Sequence, residues 1–241
     1  MILQRVVSGS GMVLTGLLFV FIFKKRKKIR FIYIVYGALA WIVAIALKFA
    51  WALPVNKHIY SWLFSVLESD IAGPIFWVYV GLLTGIFECI GVYLTIRFTK
   101  LKKMSLMESY GFGYGFGCIE SILLGLTQFA AIAAIITGQH QPGTIGWLSV
   151  PAPIIERIVT IFLHLFTTLL IIYSIKEHKP LFFIISFIYK SFIDTIAAWA
   201  QLSFGIDTLS HLWIVEGIVV FFSSFAIAGS ILFLKKKSES T

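Results

Sequence analysis

The sequence predicts an all-α fold, a polytopic membrane helix bundle with seven transmembrane helices, and three observations carry that prediction. Composition is the first: 59% of the 241 residues are hydrophobic and only 13% are charged, with a mean hydropathy of +0.94. Soluble domains carry about 25% charged residues, so soluble, disordered and coiled-coil classes are excluded. Segmentation is the second, because a span needs about 20 apolar residues and seven windows reach that length. The third is the placement of the basic residues, fifteen of which gather on one side when seven spans alternate.

The first window is Ile2–Phe23. Its apolar stretch Gly11–Phe23 is followed by Lys24-Lys25-Arg26-Lys27-Lys28, with only Arg5 ahead of it. That bias is the reverse of an export signal and predicts a retained helix with its N-terminus outside. Phe31–Pro54 and Gly73–Ile96 follow as the second and third spans. The fourth, Leu106–Thr137, is long, so its first turn lies at the interface or the helix tilts. Pro151–Ser174, Leu181–Leu202 and Leu212–Leu234 complete the set.

Between these windows, Lys24–Arg30 holds six basic residues and Arg97–Lys103 four. Lys176, Lys179 and Lys235–Lys237 supply the rest, against Arg5 and Lys57 on the opposite side, which also carries the neutral segment Gly138–Val150. Fifteen to two predicts an outside N-terminus and a cytosolic C-terminus. No internal repeat and no soluble stretch interrupts the pattern, so residues 1–241 form a single transmembrane helical domain. The net charge of +9 then serves orientation in a lipid bilayer, and no nucleic-acid partner is expected. A Lys- and Ile-rich composition fits a bacterial plasma membrane. Cys89 and Cys118 fall inside apolar runs, where they read as packed thiols rather than a disulfide or CxxC pair.

Small residues mark where helices approach closely: Gly113, Gly117, Ser121 and Gly125 on span four, and Gly81, Gly85 and Cys89 on span three. Charges at membrane depth cost about 2.5–3.5 kcal/mol each and are functional candidates by default. At 1.5 Å per residue, Glu120, His164 and Asp194 lie roughly 20 Å along their helices, near the bilayer middle. Glu88 lies in the inner half, and Lys190 one turn nearer the cytosol than Asp194. Lys48, Glu156, Arg157 and Glu216 are within reach of an interface, and Lys48 is long enough to snorkel there. The deep set comes from four consecutive spans and is expected to converge on an interior site. Glu156, Thr160, His164 and Thr168 share one face of span five, as Lys190, Asp194 and Gln201 do of span six.

Two readings of that set stand side by side. In one it is structural, a self-neutralising network with Lys190–Asp194 as an intrahelical pair. In the other, Glu88, Glu120, His164 and Asp194 hold a divalent metal or activate water; carboxylate and imidazole suit zinc, which needs about three protein ligands and an open position. No HExxH is present, and only one histidine is deep.

At these residues the sequence resembles the YhfC-type intramembrane metalloproteases, relatives of the PrsW proteases and, more distantly, of the type II CAAX prenyl proteases. Gly85-Ile86-Phe87-Glu88-Cys89-Ile90-Gly91-Val92-Tyr93 looks like the first motif, usually Gly-x-Phe-Glu-Glu followed by an arginine. Phe116-Gly117-Cys118-Ile119-Glu120 matches the second, FxxxE. Glu156-Arg157 leading to His164-Leu165-Phe166-Thr167-Thr168 looks like the third, HxxxT, and Lys190-Ser191-Phe192-Ile193-Asp194 stands where HxxxD is expected. The resemblance implies cleavage of a membrane-associated peptide or protein. Glu88 or Glu120 would be general base, and Glu120, His164 and Asp194 would bind metal, zinc in the first instance, or steady an oxyanion.

Three departures accompany the match. The second glutamate of the first motif is Cys89, its arginine is Val92, and the fourth motif's histidine is Lys190. An ammonium repels a divalent cation, so these losses point to a weakened catalytic centre. The alternatives are a non-catalytic scaffold, chaperone or immunity-type binder that keeps the protease fold, and, ranked below it, a small transporter.

Overall fold

The computed structural model describes residues 2–25, 29–139, 146–205 and 208–238, with backbone only for 233–238. Arg26, Lys27 and Lys28 of the first basic cluster, and residues 140–145 of the segment Gly138–Val150, lie outside the described residues. Every regular element described is helical: α1 (Ile2–Lys25), α2 (Phe31–Val66), α3 (Ser69–Thr84), α4 (Gly91–Arg97), α5 (Leu106–Ile136), α6 (Pro151–Lys176), α7 (Pro180–Trp199) and α8 (Leu209–Ser238). A π-helical turn, Gly85–Ile90, joins α3 to α4 into one span, and a second, Ala200–Phe204, extends α7. Among the described residues, seven helices are long and apolar enough to cross a membrane, and each coincides with one of the seven apolar windows.

The helix ends follow local rules. Pro151 and Pro180 open α6 and α7, where a fixed φ and a missing N–H cost nothing. Gly138 ends α5 at φ 71°, with its own N–H and that of Gln139 returning to the carbonyls of Ile135 and Ala134. α2 runs through Pro54 to Val66, so its 36 residues extend about 54 Å, well beyond a hydrocarbon core of about 30 Å. Its far end is stabilised by side chains that hydropathy does not see. Trp51 donates to the Tyr79 hydroxyl at 3.0 Å, Tyr79 donates to Asn56 at 3.0 Å, and Leu63, Ala72 and Phe76 form a small core.

The chain divides into two compact units. The first comprises Met1–Ala38, Leu106–Phe166 and Asp207–Thr241. Here α1 lies against α5 along the small-residue stripe: Gly9 meets the Gly125 carbonyl, and the Ser121 hydroxyl donates to the Met12 carbonyl at 2.8 Å. Gly117 brings α6 equally close, since an added Cβ would stand 2.9 Å from Ile161 Cα and 3.2 Å from His164 Cβ. The start of α8 is tied to the turn before α6 by Trp213 Nε1 donating to the Leu148 carbonyl at 3.2 Å. The stripe is therefore a packing device, as its spacing suggested.

The second unit comprises Leu39–Ser105 and Thr167–Ile206. Its core is the contact of α3 and the π turn with α7: Gly81 faces Ser191 and Thr195, and Gly85 faces Ser191 and Phe187. Any side chain at either glycine would collide with α7. At the other end of the span, the Lys176 ammonium donates to the Met104 carbonyl.

Candidate functional site

Each unit holds one buried polar cluster. In the first, His164 is carried into the interior by α6 because Gly117 lets that helix lie almost on α5. His164 is 1% exposed, and its Nε2 stands 2.5 Å from Glu120 Oε2. The Phe116 ring covers the imidazole at 5.2 Å between centroids. Arg157 precedes His164 by two helical turns and so shares its face. Its Nη1 donates to Glu120 Oε1 and its Nη2 to Glu156 Oε1. Glu216 of α8 is 6% exposed and lies within electrostatic range of Glu156 and Arg157. Its Oε2, like Arg157 Nε, is buried with no hydrogen-bond partner among the described residues.

In the second unit Glu88 sits on the π turn, where the wider i→i+5 spacing re-aims side chains and often marks a functional position. Lys190 Nζ stands 3.3 Å from Glu88 Oε2, and both side chains are buried. Cys89 Sγ lies 3.8 Å from Ser186 Oγ, which donates to the Thr167 carbonyl at 2.9 Å. Lys48 Nζ donates to Thr84 Oγ1 at 2.5 Å and lies 3.8 Å from Asp194 Oδ2. Cys89 and Val92, which stand where the resemblance expects a glutamate and an arginine, are each 2% exposed.

Of the residues expected to act, Glu120 and His164 are brought into contact in the first unit. Glu88 and Asp194 each meet a lysine in the second. Where the sequence suggested an intrahelical Lys190–Asp194 pair, the ion pairs run between helices, Lys190 to Glu88 and Lys48 to Asp194. Lys48 turns inward to Thr84 instead of snorkelling to an interface. Arg157, placed near an interface by depth alone, is in fact a partner of the deep Glu120 and bridges that carboxylate to Glu156. The sequence reading missed this pairing; the seven-residue spacing of Arg157 and His164, which puts both on one face, is the signal by which it was open to being found.

A divalent metal is tested by this donor set. A zinc site takes three protein ligands with their lone pairs directed at the ion. Glu120 and His164 are a credible pair, but Arg157 already occupies the carboxylate, and Asp194 faces the ammonium of Lys48. Among the described residues no three His, Cys, Asp or Glu side chains are grouped so as to hold a metal ion. The residues as arranged do not fit the ion.

Comparison with known proteins agrees with the motifs. The chain is 27% identical over 215 residues to the uncharacterized membrane protein YhfC of Bacillus subtilis (strain 168), covering 79% of this chain and 80% of that one. No solved structure matches it. A sequence model of the family described as YhfC intramembrane metalloprotease matches residues 11–145 and 138–219, most of the length and all four motif regions. On that match, the multi-pass membrane protein described above belongs to the YhfC intramembrane metalloprotease family.

Proposed function

We propose that this chain is a weakened intramembrane endopeptidase: it engages membrane-associated polypeptides, but cations hold the carboxylates that would carry hydrolysis. The family supplies the reaction class, peptide-bond cleavage, and with it a protein substrate and a metal. Glu88, Glu120, His164 and Asp194 are the residues assigned to that chemistry here. The observation that carries the reading is Lys190 Nζ at 3.3 Å from Glu88 Oε2. A general base must present a free lone pair to water, and here an ammonium stands against that carboxylate. The distribution of basic residues supports an outside N-terminus and a bacterial plasma membrane, in line with the bacterial relative.

Cys89 and Val92 favour a second reading, a non-catalytic scaffold, chaperone or immunity-type protein. Cleavage of single-span substrates in proteoliposomes separates the two. Under the first, Lys190→His raises a low rate at least tenfold and His164→Ala abolishes it. Under the second, no variant cleaves. A wild-type rate that Lys190→His leaves unchanged would overturn the weakening itself.

A further inference from the structure

Among the described residues, the cluster of the first unit is short of positive charge. Glu120, Glu156 and Glu216 bring three carboxylates, and Arg157 spends its two terminal nitrogens on the first two. Glu216 takes part in no ion pair among the described residues, so an ionised Glu216 is left without a counter-ion there. An isolated buried carboxylate is among the costliest groups a membrane protein can hold. Glu216 is nonetheless 6% exposed, and its Oε2 finds no donor among the described residues. It lies seven residues into α8, and Glu156 lies five residues into α6. These two helix starts are joined through Trp213 and Leu148, so both carboxylates stand at one end of the unit. Glu156 is a third exposed and opens the pair to the surroundings.

We propose that Glu156 and Glu216 form a binding site for one monovalent cationic group, the ammonium or guanidinium of a lysine or arginine near the end of a partner's membrane segment. This rests on the reading of the chain as one that engages membrane-associated polypeptides, and it names the chemistry by which they are selected. An ammonium has three N–H donors and is satisfied by two carboxylates and a carbonyl or water. A bare metal ion needs five or six oxygens, whereas helical carbonyls are committed to their own ladders and no three ligand side chains are grouped among the described residues. The side chain is therefore favoured over the free ion.

The test is binding, measured by anisotropy in nanodiscs of full-length protein. The probes are a labelled hydrophobic peptide with a single lysine one to two turns from its end, and the same peptide with glutamine. The lysine peptide is expected to bind at least tenfold more tightly, and Glu216→Gln and Glu156→Gln are each expected to erase that difference. Both substitutions keep shape and hydrogen-bonding capacity, and unchanged melting temperatures confirm that the variants fold. Equal binding of the two peptides, or full lysine preference in Glu216→Gln, overturns the proposal. So does competition by potassium or sodium chloride beyond that of N-methylglucamine chloride at equal ionic strength, which would make a small ion the occupant. Because the readout is binding, a finding that the chain cleaves nothing leaves this inference standing, and loss of lysine preference leaves the role of Lys190 untouched.

Discussion

Replacing Lys190 by methionine removes the ammonium from Glu88 while keeping most of the side-chain volume. At 3.3 Å the attraction between unit charges is about 5 kcal/mol at an effective dielectric constant near 20. Both partners are buried, so removing one leaves a carboxylate with its desolvation cost and without its counter-ion, which typically destabilises by about 3–5 kcal/mol. Lys190→Met is therefore expected to lower unfolding free energy by that amount in reversible denaturation from mixed micelles. Glu88→Gln alone strands the ammonium and is expected to cost a similar amount. The double variant leaves no charge behind and is expected to recover more than half of the summed loss, the signature of direct coupling. A loss below about 1 kcal/mol for Lys190→Met, or additive losses in the double variant, would refute the claim that these two groups neutralise each other.

Other expectations follow from the same contacts. Arg157→Leu leaves Glu120 and Glu156 without their shared guanidinium and is expected to cost about 3–5 kcal/mol by the same unfolding assay; Arg157→Lys restores only part, because one ammonium cannot fork across two carboxylates. Gly117→Ala drives a methyl into α6 backbone beside His164 and is expected to cost about 1–3 kcal/mol, with broadening of the His164 imidazole resonances. Lys48→Met breaks a longer, part-exposed contact to Asp194 and is expected to cost only about 1 kcal/mol.

The seven spans were legible because lipid demands long apolar runs and leaves little room for ambiguity. Their ends were less so. α2 continues past Pro54 because Asn56, a polar residue that closes a hydropathy window, is bonded to Tyr79. Neither π turn leaves a pattern in the sequence, since the turn around Glu88 accompanies the packing of Gly85 on Ser191 and Phe187, residues a hundred positions away. Depth grouped Glu120 and His164 in one deep set, and the structure brings these two into contact. Which cation meets which carboxylate was not, because depth along a helix ranks residues by cost and says nothing about rotation about its axis. Lys48 shows this best: its length permits snorkelling, yet Thr84 and Asp194 draw it inward.

The central claim, that cations hold the carboxylates of a protease-family centre, is tested most directly by metal stoichiometry. Purified full-length protein, reconstituted with excess zinc and then desalted, is analysed beside Lys190→His and His164→Ala by elemental mass spectrometry. The account expects wild type to retain well under one equivalent and Lys190→His to retain substantially more, because an imidazole ligates where an ammonium repels. One full equivalent in wild type, lost in His164→Ala and unchanged in Lys190→His, would contradict it.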